Sequence, residues 1–356
     1  MLTGNKGEWS EIYVLLKLLG DTRIYMGDSE LNKISSFFFP IIKILRNETS
    51  HQYEYSLSNH VVIINENNIE LFRISVSEFK NKAEKLLHVI KISKGVFQVP
   101  ELEKFLEEIK CSKLKAKSTV KTDIRIMVHD LKTNQTPVLG FSIKSQLGGS
   151  STLLNAGKTT NFIYKIIKTK LSDNIIHEIN IIKNFNNKLD KISSYGGKLD
   201  YCDVDKGIFK NNLILIDSLL PNILSETLLN YYKSKESKIY DLSNKLNEKN
   251  PLDFDNQYNH SFYEYKIKRF LVDIALGMMP SKVWNGRYDA TGGYLIVKDD
   301  GEILCYHLYD RNEFEDYLFK NTKFDTASTS RHDFGEIYKK NDELFIKLNM
   351  QIRFLK

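Results

Sequence analysis

An aspartate and a lysine are the residues of this chain whose types and spacing best suit a hydrolytic reaction. Asp123 opens the alternating run Asp123 to His129, and Ser142-Ile143-Lys144 lies in the run Pro137 to Ser145, with Ser142 following Asp123 by 19 residues. The polar stretch Lys132-Thr133-Asn134-Gln135 between them reads as a turn, so the two runs form a hairpin that carries carboxylate and ammonium to one edge. A carboxylate there can hold a hard divalent cation through oxygen. The cation polarises a phosphodiester, and a lysine beside the attacking water steadies the charge that develops on the phosphoryl oxygens. Strand alternation sets Ser142, Lys144 and Gln146 on one face and Phe141, Ile143 and Ser145 on the other. Taken alone the pattern is short: a strand-terminal aspartate and an edge lysine that discourages aggregation would look the same.

The elements that must position these groups can be read from hydrophobic period. Glu8 to Leu19 spaces Ile12, Leu15, Leu16 and Leu19 as one helix face, with Gly20-Asp21 as a stop. Pro40 to Arg46, Gln52 to Ser56, His60 to Ile64 and Ile69 to Ile74 read as a strand meander, followed by helices over Val76 to Ile92 and Pro100 to Cys111. Behind the hairpin comes a Gly/Ser/Thr-rich loop from Leu147 to Thr160, whose Gly148-Gly149-Ser150-Ser151-Thr152 offers N–H groups and hydroxyls to a phosphate. Leu171 to Gly277 turns mostly helical, including Asn211 to Lys233 and His260 to Leu276. Strands return at Gly292 to Lys298, Glu302 to Tyr309 and Leu344 to Phe354, the first two joined by an Asp-Gly turn. The expectation is an α/β (α+β) protein with a mixed sheet flanked by helices: residues 1–170 as catalytic core, 171–356 as a helical region and a β-rich C-terminal lobe, packed as one unit.

Composition narrows the class. Fifty-one Lys+Arg against 45 Asp+Glu leave a net charge of +6, a mild excess that favours a polyanion without demanding one. No apolar run reaches the length of a membrane helix and the N-terminus lacks the order of a signal peptide, so the expected location is the cytoplasm. Cys111, Cys202 and Cys305 form no Cys-x-x-Cys pair and suggest reduced thiols rather than disulfides or zinc. His129 and His307 sit in strand-like runs and read as structural histidines.

Longer strings carry a resemblance. The order of helix, meander, aspartate and hairpin lysine is similar to the PD-(D/E)xK nuclease superfamily. Asn5-Lys6-Gly7-Glu8-Trp9-Ser10-Glu11, Lys121-Thr122-Asp123-Ile124, Gly140 to Gly148, Thr152-Leu153-Leu154-Asn155-Ala156 and Thr160-Asn161-Phe162 resemble the HpaII-type restriction endonucleases, as do Thr291-Gly292-Gly293-Tyr294 and Ser328 to Gly335. The resemblance implies a PD-(D/E)xK fold, Mg²⁺ as cofactor, and cleavage of the palindrome CCGG in double-stranded DNA. A palindromic target favours a homodimer, in which each chain reads one half-site, although a monomer can also act on such a site; a cognate cytosine methyltransferase that protects host DNA need not bind the enzyme. Matched residue by residue, Asp123 is the metal-binding aspartate, Lys144 the catalytic lysine and Glu11 the acid of the leading helix. The motif's second carboxylate is missing, because Ser142 stands in its place. Glu11 is the expected substitute, Gln146 on the lysine's face the alternative, and Glu8 a weaker one.

A DNA cutter also needs groups that reach base edges, and guanine is most often read by Arg or Lys. Ser328, Ser330, Arg331, His332 and Asp333 cluster short polar groups with a guanidinium, an imidazole and a carboxylate. Lys282 and Arg287 bracket an aromatic loop suited to phosphates or a base. Asn155 and Thr160 join them as expected DNA contacts. An ordinary polar turn accounts for either cluster as well. A structure-specific nuclease, or a module that binds DNA without cutting it, stays open at this point.

Overall fold

A computed structural model describes residues 2–48, 51–115, 121–234 and 236–356. Its centre is a nine-stranded sheet in the order Arg23–Gly27, Ile303–Tyr306, Gly293–Val297, Val138–Ser145, Ile124–Val128, Lys33–Asn47, Gln52–Ser58, Val61–Glu66, Ile69–Ser75. Arg23–Gly27 also pairs with Lys33–Asn47, which closes the first six strands into a barrel. Two pairings are parallel, Gly293–Val297 on Val138–Ser145 and Ile303–Tyr306 on Arg23–Gly27. The sheet is therefore mixed, and the protein combines α and β as expected.

The helix Lys6–Asp21 starts at a reciprocal cap: Asn5 Oδ1 accepts from Glu8 N at 3.1 Å, and Glu8 Oε2 accepts from Asn5 N at 2.9 Å. It is buried on nearly every face, because the sheet wraps one side and Val76–Ile92 lies on another. That cap occupies Glu8, leaving Glu11 one turn further in.

Two cores result. One gathers the first helix, the meander and Phe141; the other gathers the helices beyond residue 171 with Asn161–Ile167 and Glu343–Asn349. The strands Gly293–Val297 and Ile303–Tyr306 serve both. Leu295, Val297, Ile303 and Cys305 face the first core, and Tyr294, Ile296, Leu304 and Tyr306 the second. These late strands thus complete the sheet that the early ones begin.

Several elements differ from the sequence reading. Asn211 to Lys233 is two helices, Gly207–Ile216 and Leu220–Lys233, bent by 108°. Asp217 Oδ1 accepts from Leu219 N at 2.9 Å in the break, and Pro221 supplies the new first turn. Lys198–Val204 and Asn161–Ile167 are strands of a second, four-stranded sheet, and Thr152–Leu154 is a short strand within the expected loop. Leu344 to Phe354 divides into Glu343–Asn349 and Ile352–Phe354, in different sheets. The chain crosses between them where Met350 N bonds to Thr160 O. No single helix among the described residues is long and apolar enough to cross a membrane.

Candidate active site

Hairpin register brings Asp123 against the strand Val138–Ser145. Asp123 N donates to Phe141 O at 2.8 Å, and Ile124 pairs with Phe141. Asp123 Oδ2 then accepts from Ile143 N at 2.7 Å and from Ser142 Oγ at 3.1 Å. Ser142, itself buried, therefore orients the aspartate. Across the parallel ladder, Tyr294 pairs with Ser142 and Ile296 with Lys144, and the Lys144 ammonium lies 5.4 Å from the centre of the Tyr294 ring. On the opposite face Ser145 Oγ accepts from Ser10 Oγ of the first helix at 2.8 Å. The alternation read from sequence holds in space.

Glu11, Asp123 and Lys144 line one cleft of about 560 Å³, together with Asn5, Gly7, Lys115 and Gly148. Burial, and then the neighbouring Asp123 charge, lift the Glu11 carboxyl to about 7, although Lys115 approaches it to 3.8 Å. Burial pushes the Lys144 ammonium down from its ordinary value, and Asp123 and Glu11 oppose that shift. Two acids on one cleft suit a divalent cation, whose charge would favour the ionised form of the buried Glu11. Among the described residues no group of three or more His, Cys, Asp or Glu is placed to hold a metal. The remaining positions on a magnesium ion would fall to water and to phosphate oxygen.

The structure sorts the other expected residues. Gln146 is a correction: it is not among the residues lining the cleft, but borders a small neighbouring pocket with Lys144, Tyr317 and Phe354. Thr160 is another. It is fully buried, its hydroxyl held by Gly157 and the Asn349 amide, so it has no surface to offer DNA. Asn155, Ser328, Ser330, Arg331 and Asp333 are exposed and His332 partly so, the last group on and beside the short helix Thr329–His332. Lys282 and Arg287 are exposed on a loop stapled by Trp284 Nε1 to Arg287 O at 3.0 Å and Asn212 Nδ2 to Lys282 O at 2.8 Å. His307 is buried, and burial lowers its imidazole to about 4; its Nδ1 accepts from Tyr309 N. His129 pairs with Asn134. All three cysteines are free thiols.

Two lysines were missed. Lys121 is held down to about 8, first by burial and then by the Lys144 charge. Its position two residues before Asp123 on an extended run was the available signal. Lys115 comes from a stretch without periodicity, so only the tertiary structure shows it beside Glu11.

A family model for the HpaII restriction endonuclease matches residues 5–354, which makes the chain a restriction endonuclease, a site-specific deoxyribonuclease. The chain belongs to the HpaII restriction endonuclease family. It is 52% identical over 357 residues to the Type II restriction enzyme HpaII of Haemophilus parainfluenzae, an alignment covering 99% of each chain. No solved structure matches it.

Proposed function

We propose that this restriction enzyme hydrolyses double-stranded DNA at CCGG with Mg²⁺ as cofactor, in the cytoplasm, through a PD-(D/E)xK-type centre in which Ser142 replaces the second acid. The observation that carries the reading is the single cleft shared by Glu11, Asp123 and Lys144 in a chain of this family. Glu11 and Asp123 would hold the ion. When bound, it supplies Lewis-acid polarisation of the scissile phosphate and a more acidic water. Ser142 and the Ile143 N–H fix Asp123 in place, and Lys144, kept from free solvent on the Tyr294 ring, steadies the charge on the phosphate during attack.

Residues 1–170 supply the hydrolytic groups, and residues 171–356 carry the exposed Arg331–Asp333 segment and the Lys282–Arg287 loop that face DNA. Arg331 suits guanine and Asp333 the amino group of cytosine. Each chain contributes one such cleft, and a palindrome presents its half-site twice, so a homodimer is the natural working form. A cognate cytosine methyltransferase protects host sites.

Two duplexes, identical except that one has its CCGG scrambled, are digested with Mg²⁺ or with chelator, by the native enzyme and by Lys144→Ala. The expected outcome is cleavage of the CCGG duplex alone, only with Mg²⁺, and a rate loss of about 10²–10³-fold in the variant with binding retained. Equal cutting of both duplexes would replace this reading with a structure-specific nuclease. Salt-dependent binding without cleavage under any metal would mean that Ser142 marks a lost catalytic site.

A further inference from the structure

The segment that follows the short helix Thr329–His332 is held from below by buried polar side chains. Asn161 and Asn349 face each other at the ends of two paired strands, and both are fully buried. Asn349 Nδ2 donates to Asn161 Oδ1 at 2.7 Å, which turns both Asn161 amino hydrogens outward to His332 O at 2.9 Å and Asp333 O at 3.1 Å. The same Asn349 amide donates to Gly157 O at 2.8 Å, in the loop behind the catalytic strand. Two residues on, the buried Lys188 ammonium donates to Gly335 O at 2.7 Å. Asp333 has φ 55°, the left-handed conformation in which it closes the short helix, its N–H on Thr329 O. Above this row of clamped carbonyls, Arg331 and Asp333 are exposed.

We infer that Asn161, Asn349 and Lys188 are positioning residues for sequence discrimination: they fix the backbone from His332 to Gly335 so that Arg331 and Asp333 meet base edges in one geometry. This rests on the reading above that the Arg331–Asp333 segment contacts bases. Direct readout depends on donors and acceptors held within tenths of an ångström before DNA arrives, and a segment free to move would accept neighbouring sequences. Because Asn349 also grips Gly157, the reading segment and the loop behind the catalytic strand share one anchor.

The test measures kcat/KM for CCGG relative to duplexes with one altered base pair, in native enzyme, Asn161→Asp, Lys188→Met and Arg331→Ala. Asn161→Asp keeps size but removes both donors, and Lys188→Met removes the Gly335 clamp should the first variant not fold. The ratio is expected to fall roughly ten- to a hundredfold in all three. A purely structural role would lower activity on every duplex in parallel and leave the ratio unchanged in the folded Asn161 and Lys188 variants, overturning the inference while Arg331→Ala still loses discrimination. An unchanged ratio in Arg331→Ala would instead overturn the underlying reading, and the inference with it.

Discussion

Glu11 and Lys144 are held in opposite tension at the cleft. Burial favours the neutral form of each, while Asp123 sharpens that preference for the acid and opposes it for the lysine. With Glu11 and Asp123 holding the cation as proposed, metal binding should depend on pH. A cation needs the Glu11 carboxylate ionised, so affinity should climb as pH rises from about 6 through 7 and then level, with proton release below that point. Calorimetric titration with Ca²⁺ in buffers of different ionisation enthalpy measures both. Glu11→Gln should weaken binding by at least about tenfold and abolish the proton release. Undiminished binding in that variant would transfer the ligand role elsewhere. Ser142 has a different task, since its hydroxyl bonds to Asp123 rather than reaching for an ion as the motif's acid would.

Among the elements, the hairpin and the aromatic loop show how far local pattern reaches. The period-2 runs around Asp123 and Lys144, with Asp130 N to Gln135 O closing the turn, fold as their alternation dictates. The Lys282–Arg287 loop has no such period, and its shape comes from contacts distant in sequence. Asn212 grips one end, while Thr122 Oγ1 donates to Asp289 O at the other. Tyr288 is tied to helix Phe262–Leu276 by its hydroxyl, which donates to the buried Asp273 carboxylate at 2.7 Å. Burial raises Asp273 to about 6 against the Tyr288 bond, so the folded state holds this proton more tightly than the unfolded chain. Its contribution to stability is therefore full below about pH 4 and lost as pH rises through 4 to 6. Asp273→Asn keeps an acceptor for Tyr288 without a charge. It should flatten that part of the pH–stability curve and gain about 1–3 kcal/mol at pH 7 in urea unfolding. An unchanged slope would mean that Asp273 is ionised at no cost in the fold.

At the scale of the molecule, the decisive feature is that strands near residue 300 lie between Val138–Ser145 and Arg23–Gly27 in the large sheet. Gly293 permits the tight entry to this insertion: with φ 91° and the Tyr306 carbonyl 2.0 Å from where a Cβ would stand, no other residue fits. The sheet that positions Lys144 is thus incomplete without Gly293–Val297, which lies directly beside the lysine's strand. A fragment of residues 1–170 would expose two unpaired edges and the apolar surface that Leu295, Val297, Ile303 and Cys305 cover. It should lack dispersed amide NMR signals and cleave no DNA, whereas the full chain unfolds as a cooperative unit. A well-dispersed, folded fragment would show that the early strands suffice.

What the sequence by itself determined is the enzyme class and the local elements. Asp123, Lys144 and Glu11 could be named because strand alternation, turn residues and family strings are properties of neighbouring positions, and side-chain period needs no distant partner. Tertiary structure alone decided which groups those residues meet. Lys115 beside Glu11, the Tyr294 ring under Lys144, Gln146 outside the cleft and Thr160 sealed beneath Asn349 all depend on pairings across tens to hundreds of residues. Those pairings are chosen by the burial of two cores and the satisfaction of buried polar groups, which are set by the whole chain at once.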